Sequence, residues 1–241
     1  MKIFAHRGAS REAPENTLLA FKTALEIGVD GIEFDVLLTK DKVPVVTHND
    51  DLSILTNQKG RVRDLPFSSI CNLDVGRGQT IPTLTEVLEL AKPYPNCKML
   101  IELKYQRDLA RNATLLVGGL AADLLPPEQL LFSSFSIRYL HWMKKQHPKL
   151  KRGWIVAKSL FTLVPFSIFD TLLPLQAFHP RLGLLTPRLV ERARKRKWEV
   201  ASWVANDREQ LQRAKFCGVD GIFTDDPRWA VRALRGQNNG G

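Results

Sequence analysis

A chain of 241 residues that is 44% hydrophobic and 25% charged carries enough apolar side chain for one packed core, which excludes a disordered or fibrous protein. Its formal net charge of +10 favours anionic ligands, and it is concentrated between Arg138 and Lys197, where fourteen Lys or Arg meet few acids. Nucleic acid is not the expected partner, because the densest run, Arg192 to Lys197, ends a predicted helix where cations complement the dipole.

The chain opens Met1-Lys2-Ile3-Phe4-Ala5-His6, which leaves no room for the apolar region of a secretory signal before the first motif. Cys71, Cys97 and Cys217 are odd in number and lack the paired spacing of a zinc site, so they read as reduced thiols of a cytoplasmic protein. Short β-rich runs follow at Ile3–Ala5, Gly31–Val36, Met99–Leu103, Leu130–Ser133, Gly153–Val156, Leu175–Phe178, Val200–Val204 and Gly221–Phe223. Helical patterns lie between them, at Thr17–Ile27, Leu84–Ala91, Leu109–Leu124, Ile137–Gln146, Pro187–Lys197 and Arg208–Cys217. This alternation predicts parallel strands joined by right-handed crossovers. A doubly wound open sheet would alternate in the same way, but eight strands favour an α/β TIM (β/α)8 barrel, one domain over residues 1–235.

The connection from Val43 to Thr80 is too long for an ordinary βα loop and contains Gly60, Pro66, Gly76 and Gly78. It predicts a small insertion after strand two, its body at about residues 50–81, over the functional end of the barrel. Leu160 to Leu175 is the most apolar stretch, yet it is too short to span a bilayer and is broken by Pro165 and Pro174. No transmembrane segment is expected; the stretch reads as a buried barrel helix, or else as a patch that makes weak contact with a membrane surface or closes over a substrate. Residues 236–241 read as a frayed tail, and the oligomeric state stays open.

Side chains two apart on a strand share a face, and a barrel strand carries its functional groups at its C-terminal end. Glu33 and Asp35 therefore share the inward face of strand two, Glu102 and Lys104 that of strand three, and His6 and Arg7 end strand one. Three carboxylates at one mouth repel unless a cation neutralises them; oxygen donors without thiolate favour Mg²⁺ or Ca²⁺, with Mn²⁺ as a third choice. Ion pairs of Glu33 and Asp35 with Lys104 or Arg7 are the competing reading, but they do not require convergence at strand ends. His48 follows Val45-Val46-Thr47 and should reach the same mouth, so that His6 and His48 can divide proton transfer between them.

These residues stand in motifs that resemble those of the glycerophosphodiester phosphodiesterases: His6-Arg7-Gly8, Pro14-Glu15-Asn16-Thr17, Gly31-Ile32-Glu33-Phe34-Asp35-Val36, His48, Ile101-Glu102-Leu103-Lys104, Ser133-Ser134-Phe135, Trp203-Val204-Ala205-Asn206-Asp207 and Gly218 to Asp225. The resemblance runs over nearly the whole chain. It implies a TIM barrel that hydrolyses small glycerophosphodiesters, such as glycerophosphocholine or glycerophosphoethanolamine, to glycerol 3-phosphate and an alcohol. It further implies one divalent cation on Glu33, Asp35 and Glu102, acid–base catalysis by His6 and His48, phosphate held by Arg7 and Lys104 with Glu15 in support, and Trp203 as a wall of the glycerol pocket. Arg7 suits the phosphate because its planar fork binds two oxygens, whereas Lys104 is a point charge.

Two departures stand out. His48 is followed by Asn49 and then Asp50-Asp51, where the family has His-Asp, which leaves open which group orients the imidazole; and the tryptophan motif reads Trp-Val-Ala-Asn. Asn16 or Thr17 should also cap the following helix, and Thr224-Asp225-Asp226 either reaches the mouth or merely turns before Pro227. A lysophospholipase D would need an apolar trough, for which Phe161, Leu163, Phe166 and Phe169 are the candidates. A phosphate- or nucleic-acid-binding barrel without catalysis would not need both histidines and all three acids.

Overall fold

The computed structural model describes residues 1–106, 109–159, 166–167, 169 and 173–236. Its strands are β1 (Lys2–His6), β2 (Gly31–Leu38), β3 (Pro44–Val46), β4 (Lys98–Leu103), β5 (Leu130–Ser134), β6 (Lys151–Val156), β7 (Ala177–Pro180), β8 (Glu199–Ser202) and β9 (Gly221–Thr224). All except β3 pair in parallel, in the order β1-β9-β8-β7-β6-β5-β4-β2, and β1 also pairs with β2, which closes the ring. The helices are α1 (Leu18–Ile27), α2 (Leu84–Ala91), α3 (Ala110–Leu124), α4 (Ile137–Gln146), α5 (Pro187–Arg194), α6 (Arg208–Cys217) and α7 (Pro227–Arg235). The chain is an α/β TIM barrel, as its alternation predicts.

Helix boundaries follow local chemistry. Thr17 caps α1 by accepting the Ala20 N–H at 3.3 Å, and Gly28 ends it in the left-handed conformation, φ 79°. Thr83 and Glu86 form a reciprocal capping box on α2. Pro227, which follows Thr224-Asp225-Asp226, occupies the first turn of α7, with Asp226 as its cap.

Outside the barrel, Phe21, Phe34, Phe132, Trp154, Phe178 and Trp198 pack strands against helices. Inside, Phe4, Leu100, Ala201 and Phe223 form an apolar floor. The insertion after β2 has its own small core of Leu37, Val45, Leu52, Val62, Ile70 and Ile81. Within it, β3 runs antiparallel to the end of β2 with Val46 opposite Val36, so the chain arrives at His48 beside the barrel mouth.

One expectation needs correction. The strand expected at Leu175–Phe178 begins and ends two residues later, at Ala177–Pro180, and so takes in His179, which faces inward while Phe178 faces outward to Trp154. Within the apolar stretch, Phe166 and Phe169 are buried in the outer core, as the buried-helix reading expects, 5.1 Å from Trp198 and 4.8 Å from Trp154 between ring centres, so these two do not line a trough. Phe161 and Leu163 lie outside the described residues, as do residues 237–241 of the expected tail. All three cysteines are free, and no helix among the described residues is long and apolar enough to cross a membrane.

Candidate active site

Parallel register assembles the site. His6 stands opposite Glu33, and Asp35 opposite Glu102, so side chains from three neighbouring strands meet at one end of the barrel. Glu33, Asp35 and Glu102 are all buried and each offers an oxygen within 4.8 Å of the others.

Two cations face them. Lys104 Nζ lies 3.3 Å from Asp35 Oδ1 and 3.1 Å from Glu102 Oε1, while Arg7 Nε lies 3.4 Å from Asp35 Oδ2. Glu15 holds the other side of the Arg7 guanidinium, accepting Nη1–H at 3.0 and 2.9 Å. The backbone reaches this geometry through two non-glycine residues in the left-handed region, Arg7 at φ 59° and Asn16 at φ 57°. Both side chains converge on Asp35: Asn16 Nδ2–H donates to its Oδ2 at 2.9 Å. Asn16 thus secures a carboxylate and leaves the capping of α1 to Thr17.

The ion-pair reading of these acids is therefore correct for Asp35 but incomplete for the cluster. Burial would raise Asp35, yet Lys104 and Arg7 outweigh it and hold the carboxyl below its ordinary range. Glu33 accepts only the Arg7 backbone N–H, at 3.1 Å, among the described side-chain contacts. Burial and the charges of Asp35 and Glu102 push it well above the usual carboxylate value. Burial, followed by Asp35, likewise pushes Glu102 up to about 7. Three converging carboxylates with such unmet charge fit a hard divalent cation, which prefers oxygen donors.

His6 Nδ1 lies 2.6 Å from Asp225 Oδ1. Asp225 is held in turn by Asn206 Nδ2–H at 2.6 Å and by the Ser10 hydroxyl at 3.4 Å. The sequence left Asp225 undecided between mouth and turn; it faces the mouth, in phase with Phe223 two residues earlier, while Asp226 takes the capping task. His48 Nδ1 lies 3.2 Å from Asn49 Oδ1, whereas Asp50 pairs with Arg63 at 3.3 Å and Asp51 with Ser53. Asn49 is thus the neighbour of the second imidazole, and both following acids are engaged elsewhere. Burial, aided by Lys104 and Arg7, holds His48 below its ordinary value despite Asp35.

His6, Arg7, Glu33, His48, Glu102 and Lys104 line one side of a cavity of about 200 Å³. Across from them stand Ser133, Phe135, Ile155, His179, Trp203 and Phe223. Phe135 meets Trp203 edge to face at 5.8 Å, and Trp203 Nε1–H donates to the His179 carbonyl at 2.9 Å, which fixes the indole as a wall. A larger cleft, about 760 Å³, opens at Met1, Lys2 and Trp198, where Lys2 pairs with Glu199 and Arg194 with Asp220, both at 2.9 Å. It contains none of the groups described above.

Burial pushes the inward His179 down to about 3. The unfolded chain takes up this proton near the ordinary histidine value, so the stabilisation is complete above about pH 6.5 and is lost as pH falls toward 3. Urea melts from pH 7 to pH 4 should show His179→Leu losing stability less steeply than the parent, by about 1.4 kcal/mol per pH unit. Parallel slopes would contradict this.

The profile of the Glycerophosphoryl diester phosphodiesterase family matches residues 6–228. A glycerophosphodiester phosphodiesterase of Caldanaerobacter subterraneus subsp. tengcongensis is 35% identical over 249 residues, 97% of this chain and 97% of that protein. A human protein named lysophospholipase D GDPD1 is 26% identical over 94% of this chain and 83% of its own length. Among solved structures, an Oleispira antarctica phosphodiesterase in complex with the product sn-glycerol-3-phosphate superposes with a TM-score of 0.91 at 28% identity, over 98% of this chain and 97% of that one.

Proposed function

The chain belongs to the glycerophosphoryl diester phosphodiesterase family and is a phosphoric diester hydrolase; from that premise we propose that it converts small glycerophosphodiesters, such as glycerophosphocholine or glycerophosphoethanolamine, to glycerol 3-phosphate and the free alcohol. The carrying observation is the convergence of two histidines, Arg7, Lys104, Glu33 and Glu102 on one cavity of about 200 Å³, with Asp35 completing the cluster of three buried carboxylates. The Oleispira structure, which holds that product, supports the choice of substrate class. Residues 1–235 act as one catalytic unit.

Glu33, Asp35 and Glu102 would hold one divalent cation, Mg²⁺ or Ca²⁺ with Mn²⁺ as a third choice. When bound, it supplies positive charge against the phosphoryl oxygens. Arg7, braced by Glu15 and Asp35, and Lys104 bind the phosphate and stabilise the negative charge that grows on it in the transition state. The contact between His6 Nδ1 and Asp225 favours a proton on Nδ1, so His6 Nε2 is the base that takes a proton from the attacking oxygen, either that of water or that of the neighbouring glycerol hydroxyl, the latter giving a cyclic phosphate that a water then opens to glycerol 3-phosphate. His48 donates to the departing alkoxide. Trp203 and Phe135 wall the glycerol side.

Asp225→Asn should keep the fold and lower kcat about 10- to 100-fold, because an amide holds the imidazole less firmly in that tautomer. Steady-state rates beside a thermal melt check it; an unchanged kcat would remove Asp225 from the mechanism.

The reading is tested by release of glycerol phosphate from both diesters, with and without chelator. Activity that disappears with the chelator and returns with Mg²⁺ is expected. Inactivity on both, with cleavage of lysophosphatidylcholine, would overturn it in favour of the lipid-directed activity, which the burial of Phe166 and Phe169 argues against.

A further inference from the structure

The cavity wall opposite the carboxylates is apolar except at two places. Phe135, Ile155, Trp203 and Phe223 give it carbon surface; Ser133 and His179 are its polar side chains among the described residues. A substrate phosphate is drawn to the other side, toward Arg7 and Lys104, so the organic part of the molecule meets this wall.

His179 is unusual there. It is 3% exposed, and its ring takes no hydrogen bond among the described residues. Its surroundings are carbon: the Phe223 ring lies edge-on at 5.0 Å between centres, and a Cβ placed on Gly153 would stand 3.2 Å from His179 Cε1. Gly153 thus leaves the room that the imidazole fills. Neither ring nitrogen is sealed inside the packing; the spaces that His179 lines are the catalytic cavity and a smaller one of about 90 Å³ beneath the floor. A buried polar ring without a partner is costly, and its neighbours on the floor, Phe4, Leu100, Ala201 and Phe223, show that an apolar side chain suits this layer.

The glycerol half of a glycerophosphodiester carries free hydroxyls, which a wall of carbon would leave without partners. We propose that the His179 imidazole is the specificity-determining group of this pocket, recognising a hydroxyl of the glycerol moiety against the Phe135–Trp203 wall; this rests on the glycerophosphodiesterase reading above. A neutral imidazole offers one N–H donor and one acceptor lone pair, which matches an alcohol that both donates and accepts. Burial pushes His179 down to about 3, so it stays neutral in use and does not compete with Arg7 and Lys104 for the phosphate.

The test compares the parent chain with His179→Leu, which removes both polar functions, and His179→Gln, which keeps a donor and an acceptor. With Mg²⁺ present, kcat/KM is measured on glycerophosphoethanolamine and on bis(4-nitrophenyl) phosphate, a diester without hydroxyls. Affinity is measured for sn-glycerol 3-phosphate and for ethyl phosphate, which lacks the hydroxyls. His179→Leu should lose about 10- to 100-fold on the glycerol diester, mostly in KM, and about threefold at most on the hydroxyl-free one. It should also lose the preference for glycerol 3-phosphate over ethyl phosphate, while His179→Gln recovers most of both. Equal losses on the two diesters, or an unchanged preference between the two monoesters, would overturn the assignment and leave His179 as packing. Should the parent cleave neither diester, the functional reading fails, and the monoester affinities still decide this proposal alone. If His179→Leu does not fold, His179→Phe, which keeps a ring in this layer but removes both polar functions, carries the same comparison.

Discussion

Asp35→Asn should lower kcat/KM by about 10³-fold or more and abolish stabilisation by Mg²⁺. Asp35 is the hub of the site. Its two oxygens face Lys104 at 3.3 Å, Arg7 at 3.4 Å and the Asn16 amide at 2.9 Å. An asparagine keeps the shape but offers one acceptor oxygen to these three donors, and it has no charge for a cation. Asp35 lies below the ordinary carboxylate range because Lys104 and Arg7 outweigh its burial, so it is ionised wherever the enzyme works. By linkage, its contribution to stability is present above the unfolded value near 3.9 and fades as pH falls through the lower folded value. The variant should therefore melt at a lower temperature at neutral pH. Two measurements check it: steady-state rates, and thermal melts with increasing Mg²⁺. The parent melting point should climb with Mg²⁺ and that of the variant should not. A variant that retains a tenth of parental activity would remove Asp35 from the cation site.

His6→Ala and His48→Ala should each cost about 10²- to 10⁴-fold in kcat, and a change of leaving group should tell them apart. An alkoxide departs poorly without a proton, whereas 4-nitrophenolate departs without one. With His48 as the acid, the defect of His48→Ala should shrink to about tenfold on a nitrophenyl diester, while the defect of His6→Ala remains. The geometry motivates this division. His6 is tied through Nδ1 to Asp225, an arrangement that supports a base at Nε2. His48 has only the neutral Asn49 beside its Nδ1, so no carboxylate fixes it in the tautomer that a base at Nε2 requires, and the acid role falls to it. The opposite pattern, rescue of His6→Ala by the better leaving group, would exchange the two roles.

The cation pair has a bearing on how robust the phosphate grip is. Arg7 meets the burial that disfavours its charge with Asp35, Glu15 and Glu33, and its value rises as a result. Lys104 is raised in the same way, burial being outweighed by Asp35 and Glu102. Both stay charged at any working pH. Acid groups that fix the cations and cations that fix the acids make the first-bound phosphate meet a site already in position, which is what electrostatic preorganisation requires.

The sequence by itself determined the barrel and most of one side of the site. Glu33 and Asp35, Glu102 and Lys104, and the strand end at His6-Arg7 are legible because a period of two assigns side chains to a face, and the parallel sheet then sets those faces side by side. The resemblance in the motifs supplied their chemistry. What only the tertiary structure decided is non-local. Asp225 reaches His6 across 219 positions because β9 closes the ring against β1, and no local pattern reports that closure. Asn16 serves Asp35 rather than its own helix because a left-handed residue turns its side chain back over the mouth. His179 enters the barrel through a strand that starts two residues later than its apolar pattern suggests, since pairing with Gly153 and Ile155, not hydrophobicity, fixes the register. The apolar stretch near Phe166 reads from sequence as a buried helix or a surface patch; Trp154, Phe178 and Trp198, distant in sequence, cover Phe166 and decide for burial there. Periodicity assigns a residue to a face; closure and register determine what that face meets.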